Sequence, residues 1–266
     1  MDDVAWFILT VLIGVACWRG GCAAGARSAG CARGAAWAGV TGLVLWAWLM
    51  KHPEVACRAI PLWLLARTEG VGMVPFFFGL MGVAWSCAGR PRQRAAVGWA
   101  VALGLLVFTH NGRWMLQATP VEVLGSTHGD ALVLQSQDYT CVAASSASLL
   151  NRLGHRTSEA EMAELTRTRP NVGSTSIRAA DGINRLLISR TTAKRASILS
   201  LPMSQLHSLD EPFLTPLRSA PGTLHMVLVL HVKPTSVELF DPVTGPQRIP
   251  PELFAEAYTG HIITVQ

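Results

Sequence analysis

Apolar residues are distributed along this chain in two different ways. From Val4 to Trp18, Ala35 to Met50, Val71 to Ala88 and Ala95 to Thr109 they run almost without interruption. No amphipathic helix intervenes, so burial in a soluble core does not explain the pattern. Crossing a hydrocarbon layer of ~30 Å takes roughly 20 helical residues. The first, second and fourth runs reach that length with their flanks, and Trp18, Trp46 and Trp48 lie near run ends, where amphipathic rings favour the membrane interface. About four spanning helices are expected. A fifth stretch, Ala59 to Ala66, is too short to span; Pro61 at its start and Arg67 and Glu69 after it suit an interfacial or re-entrant piece. A cleaved signal peptide fits the first run poorly, because Asp2 and Asp3 stand where a positive start is needed.

Beyond Leu116 the pattern becomes that of a soluble domain. Ala131–Leu134 is a short β-prone run, and residues 135–140 are polar and turn-like. Cys141 to Gly154 reads as an Ala-rich helix with its leucines toward one face and Gly154 as its stop. Ser158 with Glu161 forms a candidate capping box for a second helix, and Ile177–Leu187 is a third. After a Pro- and Leu-rich middle, Gly222–Val232 reads as a buried strand and Val237–Asp241 as its return across the Lys233–Ser236 turn. A short helix over Ile249–Tyr258 and a last strand, His261–Val265, finish the chain. Helices first and an antiparallel sheet afterwards is the α+β pattern.

Composition sharpens the division. All nine Trp lie between Trp6 and Trp114, and five of the six Cys (Cys17, Cys22, Cys31, Cys57, Cys87) share that part. Two domains follow, 1–116 transmembrane and 117–266 soluble. The net charge of +5 does not point to nucleic acid, since the basic residues form no patch with interleaved aromatics. They flank apolar runs instead: Arg19, Arg27 and Arg33 after the first, and Arg90, Arg92 and Arg94 after the third. Placing both groups inside satisfies the positive-inside bias and puts the N-terminus and the soluble domain outside. Lys51, Arg58 and Arg67 then lie on the outer side, against the bias. The expected location is a bacterial-type inner membrane with the soluble domain on its periplasmic face. The lone thiol of the soluble domain can form no internal disulfide there. The five N-terminal Cys lack zinc-ligand spacing, so no metal or other cofactor is expected.

Cys141 is the candidate for chemistry. At the first turn of a helix, unpaired N–H groups and the helix dipole favour a thiolate. Thiol catalysis also needs a base, an orienting group for that base and donors for an oxyanion. His225 opens one strand of the hairpin and Asp241 closes the other, so both lie at the same end. His231 competes for the base role but lies six residues on, near the turn. Gln137 competes with Gln135 as a side-chain donor. Asp241 also suits a plain turn cap ahead of Pro242 and Gly245. His128, His155, His207 and His261 show no ligand spacing.

Gln135 six residues before Cys141, His225 opening a hydrophobic strand, and Asp241-Pro242 followed by Gly245 resemble the bacteriocin-processing, double-glycine peptidases, family thirty-nine of the cysteine peptidases. Phe254 and Tyr258-Thr259-Gly260 resemble that family too. The match spans about Leu134 to Val265. The resemblance implies a papain-like fold with Cys141 as nucleophile, His225 as general base and then acid, and Asp241 orienting the imidazole. It also implies an oxyanion hole made of the Gln135 side chain and the Cys141 N–H. The expected partner is a peptide or protein precursor, such as one bearing a leader. Two positions depart from the family: Val142 replaces the usual Gly and Thr140 the frequent Asp, so a β-branched side chain is expected to narrow the substrate groove. No G-x-x-x-x-G-K-[ST] loop is present, so ATP is not an expected partner and the chain reads as a stand-alone member without the export ATPase. An inactive, peptide-binding module for transport or sensing, and acyl transfer through the same thioester, are the competing functions.

Overall fold

The computed structural model describes residues 3–117, 127–128, 131–220 and 222–266. Contacts divide the chain into two compact units, Met1–Ala56 with Arg67–Gln117, and Cys57–Ala66 with Ala118–Gln266. The chain begins with α1 (Asp3–Arg27), α2 (Ala29–Lys51), α3 (Pro53–Ala59), α4 (Leu62–Thr68), α5 (Val74–Cys87) and α6 (Pro91–Gly112), closed by a 3-10 turn at Arg113–Met115. There follow β1 (Thr127–His128), β2 (Leu132–Val133), α7 (Cys141–Arg152), α8 (Glu159–Leu165) and α9 (Ser176–Ser189). The last part holds β3 (Ala196–Ser200), α10 (Met203–Leu206), β4 (Phe213–Ala220), β5 (Thr223–Lys233), β6 (Ser236–Asp241), β7 (Gly245–Ile249), α11 (Pro251–Ala257) and β8 (His261–Val265).

In the first unit the four apolar runs map onto α1, α2, α5 and α6, the third beginning three residues before α5. Small residues set their packing. A Cβ on Gly14 would meet Val74 and Phe78, one on Gly21 would overlap the Gly79 carbonyl, and one on Gly25 would strike Ser86. Contacts advancing together along both helices mean that α1 and α5 run parallel, with backbones as close as glycine allows. Gly39 meets Leu80 and Phe76, and Gly72 meets Trp46, so α2 runs opposite to α5. Gly104 on Phe77 and the stacked rings of Phe7 and Phe108, 5.1 Å apart, set α6 antiparallel as well. The four helices therefore alternate in direction. By length and composition two are able to cross a membrane, Asp3–Arg27 and Pro91–Met115. This is fewer than the four expected from the apolar runs; α5 has only 14 residues.

The second unit is α+β. One six-stranded antiparallel sheet has the order β3-β8-β4-β5-β6-β7. Met226 to Val229 of β5 are all buried, which requires cover on both faces. Helix α7 packs on β5 and β4. Leu206 of α10 and Phe254 of α11 join Phe213, Val227, Val229, Leu239 and Ile262 in a core cluster. Tyr258 stacks on Phe254 at 5.6 Å and donates its hydroxyl to the Leu201 carbonyl at 2.8 Å; burial pushes the phenol up to about 12. The Pro- and Leu-rich middle contains β3, α10 and β4, none of which the sequence pattern exposes. Pro216 inside an interior strand argues against a strand; it nonetheless stands opposite Met226 in the sheet, and its carbonyl accepts from the Thr259 hydroxyl at 2.8 Å.

Candidate active site

The loop from Gln135 to Thr140 delivers Cys141 to the head of α7. Thr140 sits at the N-cap, yet its side chain makes no cap hydrogen bond. Its hydroxyl turns back and donates to the Gln137 carbonyl at 2.9 Å. The first-turn N–H groups of α7 are thus left without a side-chain acceptor, and with the helix dipole they form an environment for negative charge. The Cys141 side chain is half-buried.

The β5–β6 hairpin supplies the other two groups. The His225 Nε2 atom lies 2.9 Å from Asp241 Oδ1. The Cys141 side chain acts on the same imidazole and is the main reason the His225 pKa rises from 6.5 to about 9, with the Asp241 hydrogen bond adding to it and burial opposing. The fold thus brings Cys141, His225 and Asp241 together. Asp241 also holds the turn that follows it. Its Oδ1 accepts from the Val243 N–H at 2.7 Å, so the turn cap and the imidazole contact coexist on one oxygen.

Gln135 is tied to the same end of the hairpin, its N–H donating to the Pro242 carbonyl at 2.8 Å. Its Nε2 donates to the Gln137 carbonyl at 2.9 Å, and Oε1 is buried without a partner. A side-chain amide carries two hydrogens on nitrogen, so one donor is left after the Gln137 contact. Gln137 itself is exposed and contributes its carbonyl to the loop. His231 is exposed, faces Glu238 across a bulge in the hairpin, and is not brought to the sulfur. Val142 is 4% exposed; it packs inward, and the expectation that it narrows an open groove needs correcting, because the side chain one position after Cys141 turns into the domain.

The sequence pattern missed Glu159. Ser158 does cap α8, accepting from the Glu161 N–H, but the Glu161 carboxylate accepts from Thr157 and does not close a capping box. Glu159, only 1% exposed, instead accepts from the Ser136 N–H at 2.9 Å and so anchors the loop ahead of Cys141. No local signal marks Glu159 out, because its partner Ser136 lies 23 residues away and its burial is set by the fold. Among the described residues, no group of three or more His, Cys, Asp and Glu is placed to hold a metal ion.

Comparison with known proteins identifies the family. The model of the peptidase C39 family matches residues 130–266. An uncharacterized protein of Methanothermobacter marburgensis is 31% identical over 137 residues, covering 52% of this chain and 89% of the relative. Another from Methanothermobacter thermautotrophicus is 29% identical over 148 residues, covering 55% and 96%. Among solved structures, the peptidase domain of Streptococcus ComA, a bi-functional ABC transporter of a quorum-sensing pathway, aligns with 51% of this chain and 97% of its own at 20% identity and TM-score 0.45. A double glycine motif protease from an AMS/PCAT transporter, in complex with its leader peptide, aligns with 54% and 98% at 19% identity and TM-score 0.43. With more than half of its length matched by the family model, the chain belongs to the peptidase C39 family.

Proposed function

We propose that this chain is a membrane-anchored cysteine endopeptidase acting on a peptide or protein precursor, such as one bearing a leader. The observation that carries the reading is the His225 imidazole held 2.9 Å from Asp241 and next to the Cys141 side chain at the head of α7. In the proposed cycle the Cys141 thiolate, held by the His225 imidazolium, attacks the scissile carbonyl. The oxyanion meets the Cys141 N–H and the remaining Gln135 amide hydrogen. Collapse of this intermediate breaks the C–N bond as His225 gives its proton to the leaving amine, leaving a thioester. Neutral His225 then takes a proton from water, the hydroxide attacks the thioester, and the carboxylic product departs as the thiolate–imidazolium pair is restored.

Four spans, with the peptidase unit on the outer face, make up the anchoring part of the proposal. Helices α1, α2, α5 and α6 alternate in direction, and α5, the short one, is in contact with the other three. Leu12, Trp37, Val44, Trp99 and Leu106 are large apolar side chains left exposed on α1, α2 and α6, as a lipid-facing surface requires. Because α1 and α5 run parallel, Arg27 and Arg33 share an end of the unit with Arg90, Arg92 and Arg94, which supports the positive-inside orientation.

The test is a thiol-directed activity probe on the full chain in membranes, followed by mass spectrometry of membrane and exported proteins with and without Cys141→Ala. Labelling lost in Cys141→Ser and kept in Cys22→Ser, with precursors accumulating in Cys141→Ala, is the expected result. Equal labelling in both variants and an unchanged proteome would replace the enzyme with a peptide-binding module.

A further inference from the structure

The geometry points to Ser145 as a positioning residue that clamps the helix of Cys141 to the strand of His225. Ser145 is fully buried and donates its hydroxyl to the Met226 carbonyl at 2.9 Å. It follows Cys141 by four positions, one turn along the same face of α7, and Met226 directly follows His225. One bond therefore joins the two elements beside the reacting pair.

The Met226 carbonyl has a specific need for this donor. In the β4–β5 register Met226 stands opposite Pro216. Proline has no N–H, so that position offers no ladder donor, and a buried carbonyl needs one. Ser145 supplies a donor from the helix. The inference rests on the peptidase reading of Cys141 and His225, and adds the element that holds them at contact distance. Ser148, three residues further on, makes a comparable buried bond, accepting from the Val133 N–H at 2.8 Å, but to β2 rather than to the strand of His225.

The experiment is iodoacetamide alkylation of the full chain in detergent at pH 6.5, read at each cysteine by mass spectrometry. The exposed Cys31 is the internal reference. Wild-type Cys141 is expected to react about tenfold faster than Cys31, as a thiolate held by imidazolium does. Ser145→Ala should bring the two rates level. Ser145→Thr, which keeps the hydroxyl, and Ser148→Ala, which loses a buried bond elsewhere on α7, should keep the wild-type ratio, with melting curves confirming that each variant is folded. A full ratio in Ser145→Ala, or an equal loss in Ser148→Ala, would overturn the positioning role. A wild-type Cys141 no faster than Cys31 would instead overturn the nucleophile assignment on which it rests.

Discussion

Replacing Asp241 with Asn isolates the charge on the imidazole from the turn that carries it. The Asn side chain keeps an acceptor oxygen for the Val243 N–H, so the turn survives while the carboxylate is lost. The rise of the His225 pKa from 6.5 to about 9, at about 1.4 kcal/mol per tenfold, corresponds to roughly 3 kcal/mol favouring the imidazolium. The sign follows from the raised value: this stabilisation is complete below 6.5 and is lost as pH climbs through about 9. Cys141 is the leading cause and Asp241 the lesser one, so Asn forfeits under half of it, about 1 kcal/mol, or several-fold to tenfold in rate. The assay is kcat/KM against pH between 6 and 10.5. The alkaline limb should stand near 9 in the wild type and retreat in Asp241→Asn without reaching 6.5, with turnover at neutral pH reduced about fivefold. An Asp241→Asn profile that superimposes on the wild type would mean that the carboxylate serves the turn alone, and the argument for a third catalytic group would fail.

Three further outcomes follow from the geometry. Gln135→Ala should lower kcat by ~10²–10³ while the alkylation rate of Cys141 stays unchanged, since stabilising an oxyanion does not help attack on iodoacetamide. Gly82→Ala places a methyl group against the Trp18 carbonyl; α1 and α5 must separate, and a thermal melt in detergent should show a loss of about 1–3 kcal/mol or failure to assemble. Cys31 and Cys87 are both exposed and lie at the basic end of the first unit. A membrane-impermeant maleimide should reach both from the inner side of sealed vesicles and neither from the outer, and labelling of the two from opposite sides would refute the four-span topology.

What is legible in the sequence here is local. The Cys141 helix can be read because its apolar residues recur at helical spacing and Gly154 adopts φ +86, a stop that favours glycine. The β5–β6 hairpin can be read because two apolar runs flank a polar turn, and that alone sets His225 and Asp241 at one end. Each apolar run of the first unit becomes a helix for the same reason: a continuous apolar segment satisfies its backbone within itself. The remainder depends on partners distant in the chain. Pro216 hides β4, since a residue without an N–H breaks the local strand signal and only pairing with β5 and β8 draws the segment into the sheet. The placement of β8 between β3 and β4 and the parallel run of α1 with α5 arise from packing among elements far apart in sequence. Val142 shows the limit within the site itself, for residue type suggests a wall to the groove and only the direction of α7 turns it into the core. The bond from Ser145 to Met226 spans 81 positions and meets a carbonyl set opposite Pro216, a circumstance that arises once the sheet has formed.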